Sequence, residues 1–216
     1  MPELPEVEIV KQSLNKKIKG KIINKVLIKN RNLRVKIPRG FAANINLKKI
    51  VMVDRFAKYL IIKLKGESFC LIHLGMSGTI HIASIKNQNE ISNTSFYQNP
   101  YLPKKHNHIL FIFDKIKLIY NDPRRFGYFK FIENKKKLRD FINKYGPEPF
   151  SSKFNLEYLR KNLKKKEKNI KNFLLDQNFV SGIGNIYASE ILYRCKINPL
   201  TRAKKLNLKN FREIIF

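Results

Sequence analysis

The chain has 216 residues, of which 43% are hydrophobic and 16 are phenylalanine, so it can form a folded core and is not a wholly disordered protein. Its 45 Lys and Arg residues against 16 Asp and Glu residues give a net charge of +29, which indicates nucleic acid as the partner. No apolar run is long enough for a transmembrane helix, and the acidic start is atypical of a secretory signal.

The chain begins MPELPEVE, and apolar residues at helical spacing follow over residues 5–19. Proline and acidic residues are typical of a helix N-terminus, which is one interpretation of this segment. The other interpretation is chemical. If Met1 is removed, Pro2 becomes a secondary amine, and an α-amino group with a reference pKa of about 8 is partly unprotonated and nucleophilic near neutral pH. Glu3 is then the adjacent proton donor.

Residues 21–132 consist mainly of short β-branched and aromatic runs separated by turn signals, which predicts a β-sandwich or barrel-like domain. The polar segment 83–106 contains two prolines and predicts a long surface loop. The predicted strands cover residues 21–28, 50–53, 59–64, 68–74, 79–83, 108–113, 117–120 and 128–132.

Two segments of this region combine turn residues with side chains that suit nucleic acid. In HLGMSG, residues 73–78, Met76 is either a wedge between stacked bases or an ordinary buried methionine. In DPRRFG, residues 122–127, Arg124 and Phe126 either contact phosphates and an unpaired base or belong to a hairpin with incidental basic residues. Lys58 precedes an apolar strand and, taken alone, indicates a snorkelling lysine.

The pattern becomes helical after residue 134, with helices predicted at 135–144, 155–163, 170–177, 185–195 and from 206 onward. Ser152 or Asn155 is the predicted N-cap of the second helix. The SGIG turn at 181–184 either presents backbone N–H groups to a phosphate or simply joins two helices. We therefore predict two domains, an N-terminal β-sandwich domain over 1–134 and a helical domain over 135–216.

Seven segments together resemble bacterial formamidopyrimidine-DNA glycosylases, and they occur in that family's order: 1–8, 57–60, 73–78, 105–108, 122–127, 146–149 and 176–190. The resemblance implies an α+β protein with an N-terminal β-sandwich and leading helix, followed by a helix-two-turn-helix domain, with DNA across the cleft between them. It also implies base-excision repair: a DNA glycosylase that removes oxidised purines (8-oxoguanine and formamidopyrimidines), with AP lyase activity by β,δ-elimination. The MPELPE start and the DPRRFG segment resemble the purine-repair branch.

The resemblance assigns roles to individual residues. Pro2 attacks C1′ of a flipped-out nucleotide to form a Schiff base, Glu3 protonates the opened sugar, and Lys58 donates a proton in β-elimination and touches phosphate. Met76, Arg124 and Phe126 fill the space that the nucleotide leaves. The remaining implied DNA-binding residues are His73, His106, Lys166 and Asn185, and Glu6 matches an acidic residue near the damaged-base pocket.

The sequence also departs from the family pattern. Family members carry a C-terminal zinc finger, whereas this sequence ends at Phe216 and has only Cys70 and Cys195, so we expect no zinc or other cofactor. The expected partner is double-stranded DNA with oxidised purines or abasic sites, bound by a monomer in the bacterial cytoplasm at the nucleoid. Two alternatives stay open: a truncated, catalytically impaired protein that only binds damaged DNA, and an RNA-binding protein.

Overall fold

The computed structural model describes residues 2–86, 91–93 (backbone only) and 103–215. It divides into two compact units, Met1–Arg139 and Asp140–Phe216, whereas the predicted boundary lies between residues 134 and 135. The predicted α+β class is confirmed, because the first unit has two antiparallel sheets with a leading helix and the second is helical. Among the described residues, no helix is both long and apolar enough to span a membrane.

The leading helix, α1, runs from Leu4 to Ile18. Glu3 is its N-cap, and a proline lies in its first turn, where a missing N–H costs no helical hydrogen bond. Apolar residues at helical spacing form one face of α1, and this face packs into the core of the first unit. The face consists of Val7, Val10, Leu14 and Ile18.

The strands of the first unit form two antiparallel sheets in the described residues. The strands are β1 (Lys25–Ile28), β2 (Ile50–Phe56), β3 (Tyr59–Leu64), β4 (Ser68–His73), β5 (Thr79–Ser84), β6 (Ile91–Asn93), β7 (Asn107–Ile112), β8 (Ile116–Asn121) and β9 (Tyr128–Ile132). One sheet has the order β1-β7-β8-β5-β6, and the other has the order β2-β3-β4-β9.

Apolar side chains of both sheets share one core with α1, which makes this unit a sandwich. Three predictions differ from the structure by more than two residues. Strand β2, predicted over 50–53, continues to Phe56. The strand predicted to begin at residue 21 begins at Lys25, because Ile22 makes only an isolated bridge with Lys49. The loop predicted over 83–106 contains the end of β5, the edge strand β6 and a 3₁₀ turn at Lys104–His106, while residues 87–90 and 94–102 lie outside the described residues.

The sheet order places two connections side by side. Strand β4 pairs with β9 in one sheet, and β5 pairs with β8 in the other. The β4–β5 and β8–β9 connections therefore both cross between the sheets, and they leave from paired positions: His73 pairs with Tyr128, and Thr79 pairs with Asn121. This topology brings together residues that lie about 50 positions apart in the sequence.

The helices that follow are α2 (Lys135–Ile142), α3 (Leu156–Leu163), α4 (Ile170–Leu175), α5 (Asn185–Arg194) and α6 (Leu208–Ile215). Asn155 is the N-cap of α3, since its side chain accepts a hydrogen bond from the Tyr158 N–H, and the Ser152 alternative is wrong. The second unit has its own apolar core, which includes Leu159, Leu163, Ile170, Leu174, Leu192 and Phe211.

Candidate active site and nucleic-acid interface

The start of α1 holds the predicted nucleophile and acid. Pro2 directly precedes the N-cap and is buried in this chain, in which Met1 still precedes it. Glu3 is only 2% exposed. Its backbone N–H donates to Glu6 Oε2 at 2.8 Å, and the two residues form a capping box. The helix-start interpretation of this segment is therefore confirmed, and the capping box fixes the backbone next to Pro2.

Lys58 lies in the two-residue turn between β2 and β3, where Phe56 pairs with Tyr59. It is 6% exposed, so the interpretation as a snorkelling lysine is wrong. Ala57 in the same turn has φ +51°, a left-handed conformation that costs a non-glycine residue about 1–2 kcal/mol. Burial lowers the pKa of Lys58, and the negative charge of Glu3 opposes that shift. The two predicted proton-transfer groups therefore lie within electrostatic range of each other.

Arg55 joins this turn to α1. Its Nε donates to Glu8 Oε2 at 2.9 Å, and its Nη1 donates to the Ala57 carbonyl oxygen at 3.0 Å. Burial alone would raise the pKa of Glu8, but hydrogen bonds from Arg55, Lys11 and Gln12 together lower it. Glu8 therefore acts as a charged anchor for the Lys58 turn. Sequence reasoning assigned no role to Arg55 or Glu8, although a basic residue three positions before Lys58 was a usable signal.

His73 ends β4 and has a defined tautomer. Its Nδ1 accepts a hydrogen bond from the Gly75 N–H at 3.0 Å, so the proton of the neutral ring is on Nε2. The imidazole packs edge-on against Tyr59 with 4.9 Å between ring centroids. Burial and the positive charges of Lys58 and Arg34 lower the pKa of His73 to about 4. The ring is therefore a neutral hydrogen-bond donor at neutral pH.

The two connections between the sheets carry the three predicted wedge residues. We call them the Met76 loop (residues 74–78) and the Phe126 loop (residues 122–127). Met76 is 46% exposed and Phe126 is 39% exposed, so the interpretation of Met76 as a buried core residue is wrong. The Arg124 guanidinium lies over the Phe126 ring, 4.6 Å from its centroid. A Cβ on Gly75 would lie 2.5 Å from the Phe126 carbonyl carbon, so the two loops touch through their backbones.

His106 lies beside the Phe126 loop. It ends the 3₁₀ turn before β7, and its carbonyl oxygen accepts the Asp122 N–H at 3.0 Å. Sequence reasoning missed the interior of this region, where the buried side chains of Asp122 and Tyr120 and the half-buried Ser77 connect the two loops. The available signal was an acidic residue at the start of the segment that also carries Arg124 and Phe126.

The second unit holds the other two predicted residues. Asn185 is the exposed first residue of α5, at the positive end of a ten-residue helix. The preceding turn, residues 181–184, is buried, and the Gly182 N–H (φ +99°) donates to Gln177 Oε1 at 3.0 Å. Lys166 is exposed between α3 and α4 and lines a basic groove with Arg160, Lys161, Lys164 and Lys165.

The cysteines of this chain do not fit a four-cysteine zinc site. Cys70 is fully buried in β4, where burial raises the pKa of its thiol, and Cys195 lies at the end of α5 in the other unit. Within the part of the chain that the structure describes, no three His, Cys, Asp or Glu side chains cluster as metal ligands.

Comparison with known proteins gives matches over nearly the whole chain. The family model of the formamidopyrimidine-DNA glycosylase N-terminal domain matches residues 1–129, and that of the formamidopyrimidine-DNA glycosylase H2TH domain matches residues 145–215. The formamidopyrimidine-DNA glycosylase of Lactobacillus helveticus is 41% identical over 217 residues, a match that covers 99% of this chain and 73% of the relative.

Solved structures give the same result. A complex between the Lactococcus lactis Fpg and DNA containing an abasic site has a TM-score of 0.85 and 31% identity, and the match covers 99% of this chain and 74% of that one. A complex between a mutant of the same protein and DNA containing Fapy-dG has a TM-score of 0.86 with the same identity and coverage. The chain therefore belongs to the formamidopyrimidine-DNA glycosylase family.

Proposed function

We propose that this enzyme excises oxidised purines from double-stranded DNA and then cleaves the strand at the abasic site through the amine of Pro2. The observation that carries the proposal is the placement of Pro2 directly before Glu3, with the buried Lys58 within the electrostatic range of that carboxylate. A nucleophile, an acid and a second proton donor are the groups that a glycosylase with lyase activity needs. The relatives of this chain carry the corresponding name, and their solved complexes contain damaged DNA.

The first stage replaces a bond to the base by a bond to the protein. The lone pair of the Pro2 nitrogen attacks C1′, the glycosidic C–N bond breaks, and the base leaves with the proton that the Pro2 nitrogen gives up. Glu3 donates a proton to the ring oxygen O4′, so the C1′–O4′ bond breaks and the sugar opens to an iminium ion. The buried position of Glu3 suits this role, because a carboxyl group fixed next to Pro2 can deliver a proton to one defined atom.

The second stage uses the iminium as an electron sink. Loss of a proton from C2′ forms an enamine, and the electron pair then expels the 3′ phosphate as the C3′–O bond breaks. Lys58 is the proton donor of this β-elimination, and the same cation binds a phosphate. A second elimination breaks the C5′–O bond and expels the 5′ phosphate, which frees the sugar remnant from the DNA. Water then hydrolyses the Schiff base, which releases the remnant and regenerates the amine. Because the proline amine supplies the electron sink, the sequence of steps requires no cofactor.

The remaining predicted residues bind the DNA and hold it open. His73, His106, Arg124, Lys166 and Asn185 contact the backbone, and the exposed Met76 and Phe126 side chains occupy the space of the extruded nucleotide. Glu6 lies near the damaged base, with one carboxylate oxygen already bound to the Glu3 N–H. We further propose that the enzyme acts as a monomer at the bacterial nucleoid, as its charge of +29 favours.

Borohydride trapping tests the proposal directly. We expect the protein, in buffer with EDTA, to form a covalent adduct with a duplex that contains one 8-oxoguanine opposite cytosine. Pro2→Gly should form much less adduct. A form with an uncleaved N-terminal extension keeps Pro2 unchanged but makes its nitrogen an amide, and it should form none.

Two results would contradict this account: no adduct with the wild-type protein, or an adduct that the extension does not diminish. A gel shift that shows lesion binding without strand nicking would instead support the binding-only alternative. That alternative is not favoured, because Pro2, Glu3 and Lys58 are all present, and the charge of Glu3 acts on Lys58.

A further inference from the structure

A buried carboxylate lies between the two loops that carry the wedge residues. Asp122 is fully buried at the start of the Phe126 loop. Its Oδ1 accepts a hydrogen bond from Ser77 Oγ of the Met76 loop at 2.5 Å. The Arg124 backbone N–H lies 3.3 Å both from this Oδ1 and from Ser77 Oγ. One carboxylate oxygen thus joins the residue after Met76 to the residue two before Phe126.

The other oxygen is also fully used. Asp122 Oδ2 accepts a hydrogen bond from the Gly127 N–H at 2.9 Å and from the Tyr120 hydroxyl at 2.8 Å. The Tyr120 hydroxyl also lies 3.1 Å from the carbonyl oxygen of Leu74, at the base of the Met76 loop. Burial, followed by the charge of Asp122 and its hydrogen bond, raises the pKa of Tyr120, so this hydroxyl remains a donor.

Glycines on both loops make room for this cluster. A Cβ on Gly127 would lie 1.8 Å from the Tyr120 hydroxyl oxygen, and a Cβ on Gly78 would lie 2.4 Å from it. Because Gly75 also packs directly on the Phe126–Gly127 backbone, the two loops have no room to move independently. The hydrogen bonds and the close packing at the glycines therefore join the two loops into one rigid body.

Asparagine cannot replace Asp122 without loss. An ionised carboxylate only accepts hydrogen bonds, and each of its oxygens faces one backbone N–H. The hydroxyls of Ser77 and Tyr120 can rotate to accept from an amide NH₂, but the N–H groups of Arg124 and Gly127 cannot. Whichever way the amide is placed, one backbone N–H is left facing a donor.

We propose that Asp122 is a positioning residue that, through Ser77 and Tyr120, locks the Met76 and Phe126 loops into a single wedge. This inference rests on the proposed function, in which the three exposed side chains enter the DNA together. Separate loops would each lose conformational entropy when they become ordered on the DNA. A preassembled wedge has already lost that entropy during folding. The cluster should therefore support extrusion of the base-paired lesion more than the chemistry at Pro2.

The test compares single-turnover rates on two duplexes that differ only at the lesion. One contains 8-oxoguanine opposite cytosine and requires disruption of a base pair, and the other contains a preformed abasic site. We expect Asp122→Asn to slow excision of 8-oxoguanine about 10- to 100-fold, the scale of an ångström-sized misplacement, and to slow nicking of the abasic duplex far less. Ser77→Ala removes only the side-chain hydrogen bond between the loops. It should also slow excision of 8-oxoguanine more than nicking of the abasic duplex, with a smaller effect.

Three further measurements separate positioning from general damage to the fold. Thr79→Val removes a hydroxyl that contacts His81 on the same strand at 2.8 Å and the Asn121 carbonyl oxygen at 3.4 Å, but no atom of Asp122, and it should leave both rates unchanged. A second duplex carries the fluorescent base 2-aminopurine opposite an abasic analogue. The change in its fluorescence when the protein binds should be smaller for Ser77→Ala than for the wild type. On a Met76→Ala background, Asp122→Asn should slow excision less than it does alone, because the wedge is already incomplete.

Equal slowing on both duplexes, or an additive effect on the Met76→Ala background, would overturn the inference. So would a Ser77→Ala variant whose rates and fluorescence match the wild type. These outcomes differ from failure of the proposed function, in which the wild-type protein itself forms no adduct and excises no base.

Discussion

Glu3 has a structural role as well as its proposed chemical role. Its backbone N–H completes the capping box of α1 with Glu6, and its buried carboxylate lies in the electrostatic field of Lys58. The two interpretations of the N-terminal segment are therefore compatible, because the helix start holds the backbone of the residue that follows Pro2. A flexible terminus would have to be ordered at each turnover, whereas a capped helix presents the amine at a fixed position.

Lys58 provides the residue-scale prediction. We expect Lys58→Gln to slow strand nicking about 10²- to 10⁴-fold, as loss of a general acid does, while release of 8-oxoguanine changes much less. Because burial lowers the pKa of Lys58, nicking should decline toward alkaline pH earlier than a lysine of ordinary pKa would allow. Quantifying free base and nicked strand in one time course checks both statements, with Lys65→Gln as the exposed-lysine control. A parallel loss of base release and nicking would contradict this role.

The types of residue at the site were readable from the sequence, but their environments were not. Pro2, Glu3 and Lys58 stand in recognisable segments, yet the burial of Lys58 depends on its turn and on the nearby start of α1, which lies some 50 residues earlier. Met76 was ambiguous for the same reason, because a turn between two glycines has no local signature of exposure. Asp122 was visible as a turn residue only, because its partner Ser77 lies 45 positions away and its nearby donors converge on it only in the folded loop.

At the scale of elements, the β2–β3 turn depends on the link between Arg55 and α1. Arg55 binds Glu8 through Nε and the Ala57 carbonyl through Nη1, which a lysine cannot do at once. We expect Arg55→Lys to lower the free energy of unfolding by about 1.5–3 kcal/mol, the range for hydrogen bonds to charged groups, and to slow nicking. Denaturant unfolding and the nicking assay measure the two effects, with Arg139→Lys on exposed α2 as the control. Unchanged stability and nicking would contradict the assigned role.

Most strands and helices of the chain were predictable because each carries a local pattern. The strand at 59–64 and the strand at 128–132 coincide with their predictions. The exception is β6, a three-residue edge strand within a polar segment, where backbone pairing with β5 alone leaves no side-chain pattern to recognise. The side-by-side placement of the two wedge loops was also unpredictable, because it follows from the β4–β9 and β5–β8 pairings and not from any one segment.

At the scale of the whole molecule, the charge of +29 makes DNA affinity strongly dependent on salt. Each lysine that contacts a phosphate contributes about 0.9 to the slope of log affinity against log salt. We expect Lys166→Gln to reduce that slope by about this amount and the neighbouring Lys165→Gln to leave it unchanged. His73→Asn should weaken binding without changing the slope at pH 7, because the low pKa of about 4 keeps His73 neutral. Affinities of the three variants over a salt series provide the check, and an unchanged slope for Lys166→Gln would exclude its phosphate contact.

The identity of the nucleophile is the central claim, and mass mapping of the trapped complex tests it most directly. After borohydride reduction on 8-oxoguanine DNA, proteolysis and mass spectrometry locate the residue that carries the sugar remnant. We predict a single modified peptide that begins at Pro2, lacks Met1 and carries the adduct on its terminal nitrogen. An adduct on a lysine such as Lys58, or on a peptide that retains Met1, would contradict the account.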